Sequence, residues 1–88
     1  MIVRICTENK NGEWLRETIS KYFDCFNLTY GMGVWKGQPE SSITIDLAFI
    51  YFQPDDSRKI DELVTRIKEH NAQEKILVEY IASNNILV

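Results

Sequence analysis

Eighty-eight residues make one small domain, residues 1–88, with a core too modest to be stable by a wide margin unless oligomerisation, disulfides or a metal add to it. The net charge of −3 comes from interspersed acids and bases with no basic stripe, so neither DNA nor RNA is expected as a partner. No apolar run reaches membrane-spanning length. Cys6 and Cys25 have no CxxC spacing, and His70 is the sole histidine. No zinc site and no cofactor are therefore expected, and both thiols read as free and buried. Oligomerisation is left as the added source of stability, and a homo-oligomer, dimer or trimer, is the expected state. Arg4 and Glu8 interrupt the first apolar stretch, so no signal peptide is read there and a cytoplasmic protein is expected.

In chain order, residues 1–6 are β-branched and short, which predicts a strand. The polar run 7–11 follows. A helix is then predicted over about 13–24, capped by Asn11 or Asn9, with Trp14, Leu15, Ile19, Tyr22 and Phe23 on one stripe. From Phe26 to Lys36 the pattern has period two, and it repeats from Ser42 to Phe52, predicting two long strands joined by a turn over 36–41. Pro54 with Asp55, Asp56 and Ser57 marks a second helix start, with Asp or Ser as the cap. The helix runs to about Asn71 with Ile60, Leu63, Val64 and Ile67 inward. Residues 76–82 predict the last full strand, and Asn84-Asn85 a turn into a short edge strand at Ile86–Val88.

Strand, helix, strand, strand, helix, strand, with right-handed crossovers, predicts an α+β ferredoxin-like β-α-β-β-α-β sandwich: a four-stranded antiparallel sheet, two helices on one face and a long central hairpin. The uncovered face then carries Gly31, Gly33, Trp35, Ala48, Ile50 and Phe52, an apolar and flat surface that reads as a self-association interface, with Arg4 between Asp46 and Glu79.

The same topology brings residues 7–11, 36–41 and 70–75 to one end. Asn9, Lys10, Asn11, Lys36, Glu40, Ser41, His70, Asn71 and Gln73 converge there, and Trp35 offers a stacking face. The first helix also aims its N-terminus at this end, where an anion is favoured. These residues are the candidate ligand site. No nucleophile–base pair has a recognisable spacing, so no catalytic residue is assigned. His70 is the one strong candidate base, at a helix end where histidine commonly serves the dipole.

The motifs Thr7-Glu8-Asn9-Lys10-Asn11, then Gly33, Trp35, Gly37, Glu40 and Ser42 in a Gly-x-Trp-x-Gly-x-x-Glu-x-Ser pattern, then Asn71 and Gln73, resemble a small uncharacterised family of bacteria and their phages. That resemblance covers most of the chain and implies no established activity. In architecture the long hairpin is similar to PII-like and CutA-like proteins. This implies small anionic ligands or metals at subunit clefts and a hairpin that reaches neighbours; the PII ligand motifs themselves are absent.

Three readings follow. The first is a small oligomeric regulatory or ligand-binding module that takes a nucleotide or another anionic small molecule at the polar end. The second is a protein-interaction module, phage-encoded and acting on a host protein. The third is a small enzyme using His70 with Glu40 or Glu8.

Overall fold

Alternation along two strands builds the core. In β1 (Ile2–Glu8), Val3, Ile5 and Thr7 are buried, and in β3 (Gln38–Ala48), Ile43, Ile45 and Leu47 are. β1 pairs antiparallel with β3 so that Val3 lies opposite Leu47, Ile5 opposite Ile45 and Thr7 opposite Ile43. β4 (Leu77–Ile81) flanks β1 on its other side, and β2 (Asn27–Trp35) pairs with β3 at the far edge. The computed structural model describes residues 1–82. Among them the sheet order is β2-β3-β1-β4, all antiparallel, the ferredoxin-like arrangement expected from the element order. The expected turn and strand at residues 84–88 lie outside the described residues.

Two helices cover one face. Leu15 and Ile19 of α1 (Gly12–Ser20) and Ile60, Leu63 and Ile67 of α2 (Pro54–Asn71) join the strand residues in one buried cluster. Asn11 caps α1, its side-chain oxygen accepting from the Trp14 N–H at 3.0 Å. The helix stops at Ser20 rather than near residue 24. The chain tightens there, with Tyr22 and Phe23 both donating to the Ile19 carbonyl, and the two rings pack against the core. Pro54 opens α2, and its cap is Gln53 rather than an Asp or Ser. The Gln53 N–H donates to the Asp56 carboxylate at 3.0 Å. In the first turns Arg58 bridges Asp55 and Glu62, each at 2.8 Å, and its hydrogen bond to Asp55 holds that carboxyl below the usual carboxylate range.

The central hairpin differs from expectation in its turn. Lys36 (φ 49°) and Gly37 (φ 76°) alone connect the strands, both with positive φ as in a type I′ turn, so Gln38 already pairs with Trp35. Pro39, Glu40 and Ser41 therefore belong to β3, not to a loop. Proline is tolerated there for a directional reason. The Ser41 carbonyl faces the β1 side, where the Asn9 N–H donates to it at 3.0 Å. Pro39, two residues on, turns its nitrogen to the same side, but past the end of β1, where no third strand needs an N–H.

β3 also ends earlier than expected, at Ala48 rather than Phe52. Phe49 and Met1 exchange backbone hydrogen bonds at 2.8 Å, and the chain then leaves the sheet. Phe52 consequently does not lie on the open face. It packs edge-on between Phe49 (5.1 Å) and Tyr80 (6.1 Å) against the helix-side core, and Ile50 sits beyond the strand end, 53% exposed. Gly31, Gly33, Trp35 and Ala48 do fall on the face opposite the helices, opposite Ser42, Glu40, Gln38 and Ile2 respectively. On that face Arg4 lies between Asp46 and Glu79, and its Nε donates to Asp46 at 2.8 Å. Cys6 is half-buried beside Thr44, and Cys25 is exposed, so the expectation of two buried thiols does not hold.

Ile45 sits at the middle of the sheet and is wholly buried. Ile45→Ala should cost about 2–5 kcal/mol by transfer and cavity terms together. Against the ~5–15 kcal/mol typical of small domains, urea denaturation should show a large fall in midpoint.

Candidate functional site

The polar end is organised around a buried staple. Thr7 faces the core by parity with Val3 and Ile5, and its hydroxyl donates to the Gln73 side-chain oxygen at 2.6 Å. The Asn71 amide, on the last turn of α2, donates to Thr7 Oγ1 (3.1 Å), Gln73 Oε1 (2.9 Å) and the Glu8 carbonyl (3.4 Å). Thr7 and Asn71 are both at most 5% exposed, so their polar atoms need these partners. Ala72, between Asn71 and Gln73, adopts the left-handed conformation (φ 53°, ψ 42°), and this reversal carries Gln73 back onto Thr7. The staple fastens the end of β1 to the end of α2.

Outside this staple lies a polar rim. The Asn9 amide donates to Ser41 Oγ at 3.2 Å, and Lys10 pairs with Glu8 at 3.3 Å. Asn11 is committed to its helix cap. Tyr30 leans from β2 across the first turn of α1. A Cβ on Gly12 would stand 3.1 Å from the Tyr30 hydroxyl, so only glycine lets the ring lie this close without displacement.

The hairpin then continues past the rim. β1 pairs with β3 only as far as Ser42, so the segment from Met32 to Ser41 projects beyond it as a two-stranded arm. Trp35 lies three residues beyond Met32, the partner of Ser41, or about 10 Å at strand spacing. Tyr30 (59% exposed), Met32 (76%), Val34 (70%) and Trp35 (65%) present a large apolar surface, Met32 and Val34 on one face of the arm and Trp35 on the other. Lys36 stands 5.7 Å from the centre of the Trp35 ring, a cation–π distance, and Glu40 lies on the Trp35 face opposite Gly33.

The expected site residues thus fall into separate groups. Asn71 and Gln73 are spent on the internal staple. Asn9, Lys10 and Ser41 form the rim. Trp35, Lys36 and Glu40 ride on the arm, outward of the rim. His70 belongs to none of these: its ring stacks on Trp14 at 3.6 Å and 5°, in the groove between the helices. Thr7, within the segment expected at this end, was not among the candidate site residues. Its signal was its parity, a hydroxyl in phase with the buried Val3 and Ile5, which calls for a buried partner.

Removing the Asn71 amide (Asn71→Ala) strands the Glu8 carbonyl and should cost about 1–3 kcal/mol in urea denaturation. Ala72→Gly keeps the staple and relieves the left-handed strain. The same measurement should show stabilisation by about 0.5–1 kcal/mol, the αL penalty less the added freedom of the unfolded chain.

No family model matches the chain, and no curated protein matches it in sequence. Solved structures do match in shape. A phage SAM lyase in its apo state superposes with a TM-score of 0.67 at 20% identity, covering 88% of this chain and 75% of that one. The same kind of enzyme in complex with S-methyl-5′-thioadenosine gives 0.66 at 19% identity, over 88% and 76% of the two chains. A DUF3240 family protein from Shewanella baltica gives 0.62 at 12% identity, covering 99% of this chain and 94% of the other. At these identities the likeness is one of fold.

Proposed function

We propose that this protein is a small oligomeric ligand-binding module whose site lies where the hairpin arm meets the polar rim, completed by a second copy. The observation that carries this reading is the arm. An 88-residue chain that leaves Met32, Val34 and Trp35 largely exposed on one projection, with Tyr30 at its base, presents more apolar surface than solvent favours. A neighbouring copy's open sheet face, flat at Gly31, Gly33 and Ala48, is the self-complementary surface for it.

The ligand is a nucleoside-type or other anionic small molecule. Trp35 supplies a stacking face, Lys36 a cation beside it, and Asn9, Lys10, Glu40 and Ser41 the polar groups nearby. The shared fold with a phage SAM lyase that binds S-methyl-5′-thioadenosine makes SAM and that thioadenosine the first compounds to try, followed by AMP, ADP and ATP. A second reading rests on the same arm: both of its faces expose large apolar side chains, Met32 and Val34 on one and Trp35 on the other, which also suits docking to a different protein. Catalysis by His70 has less support, because its ring lies flat on Trp14 and no ion pair joins it to Glu8 or Glu40.

Native mass spectrometry should show a dimer or trimer, and calorimetric titration should give saturable heat with at least one compound of the panel. Trp35→Ala should weaken that binding about tenfold or more, since stacking on an aromatic side chain is worth ~1–3 kcal/mol. A monomer that gives no heat with any of the five compounds would overturn the reading in favour of protein docking.

A further inference from the structure

The groove between α1 and α2, on the far side of the sheet from the open face, has features the arm does not explain. It measures about 390 Å³ and is lined by Trp14, Thr18, Lys21, Arg66, Glu69 and His70. Thr18 is only 3% exposed, and its hydroxyl makes no hydrogen bond with any described residue; the oxygen is not sealed in the core but keeps access to the groove. The contrast with its neighbours is informative. Ser20 and Thr65 return their hydroxyls to the carbonyl four residues earlier, at 2.8 and 2.9 Å, the usual resolution for a helical hydroxyl. Thr18 has the same option at Trp14 and leaves it unused, while lining the groove.

The charges point the same way. Lys21 and Arg66 both line the groove and form no ion pair with a described residue, a state they share with Arg16, Lys36, Lys68 and Lys75. Arg66 is instead held over the Tyr22 ring at 5.8 Å. With Glu69 counted, the groove carries a net positive charge in a chain whose total is −3. The stack of His70 on Trp14 fixes one wall and leaves the imidazole edge open, where a ring N–H can donate. A hydroxyl that opens into the groove without a hydrogen bond, two cations without an ion pair and an imidazole edge together make a receptor for a tetrahedral oxyanion.

We infer that this groove binds a phosphate group, free or carried by a small phosphomonoester, through Thr18, Lys21, Arg66 and His70. Glu69 sits on the rim as a repulsive group that limits affinity and favours anions able to take hydrogen bonds as well as charge. The site is separate from the arm and does not depend on the function proposed for it.

The Trp35→Phe variant leaves Trp14 as the one tryptophan and makes its fluorescence a reporter of the groove. Inorganic phosphate, AMP and adenosine are titrated separately, with sodium chloride holding ionic strength constant. Phosphate or AMP should change Trp14 emission saturably, and adenosine should not. Lys21→Gln and Arg66→Gln, both at exposed positions, should each raise the half-saturating concentration about tenfold, and Glu69→Gln should lower it several-fold. Thr18→Val should raise it at least threefold while Thr18→Ser restores it. A response equal in sodium chloride, equal with adenosine, or unchanged in the Lys21 and Arg66 variants overturns the site. The glutamine variants decide the matter even if Thr18→Val does not fold.

Discussion

The unequal length of the strands governs most of what this molecule presents to solvent. β3 runs for 11 residues and β1 for seven, and the two are paired from the β1 start, so the surplus of β3 emerges at one end. β2 follows that surplus because the hairpin turn is only two residues long. The outcome is an arm that no third strand and no helix supports among the described residues. Its inward-parity residues Met32 and Val34 continue the phase of Leu28 and Tyr30 but have nothing beneath them. A small sheet with a packed face becomes, at the arm, a ribbon with two exposed faces, a form that is marginal in water unless something covers it.

The end of β1 is where the packed body stops, and it is closed with care. Thr7 continues the buried phase into a region too polar for an isoleucine, and Asn71 and Gln73 satisfy it. The closure requires a left-handed Ala72, a position that glycine would fill with less strain. Amide side chains that look available from their loop positions are thereby consumed, and the ligand-accessible groups shift outward to Asn9, Lys10, Ser41 and the arm. The helix-side groove differs in kind. There the hydroxyl of Thr18 opens into the groove without a hydrogen bond to any described residue, and Lys21 and Arg66 line it without an ion pair.

Much of the fold was legible before any coordinates. Period-two alternation over β2 and β3, the 3.6-residue stripes of both helices and the Pro54 helix start lead to the sheet order directly, because few topologies accommodate that succession of elements. The errors cluster where alternation continues after pairing has ended. Ile50 and Phe52 keep the phase of β3, yet the Met1–Phe49 hydrogen bonds terminate the ladder and the Phe52 ring joins the Phe49 and Tyr80 rings. Similarly, Pro39 reads as a turn residue until its nitrogen is seen to face an empty edge.

The sequence by itself determined the apolar faces of the two central strands and of the helices, since hydrophobic periodicity is a local property of each segment. It also determined that residues 7–11, 36–41 and 70–75 belong to one end, since strand directions follow from element order. Only the tertiary structure decided what those polar residues do there. Whether an amide bonds a neighbour or faces solvent depends on register and on the φ of one intervening residue. Asn71 and Gln73 turned inward through Ala72, His70 was taken by Trp14, and Trp35 was carried about 10 Å outward by an arm whose overhang is a difference between strand lengths.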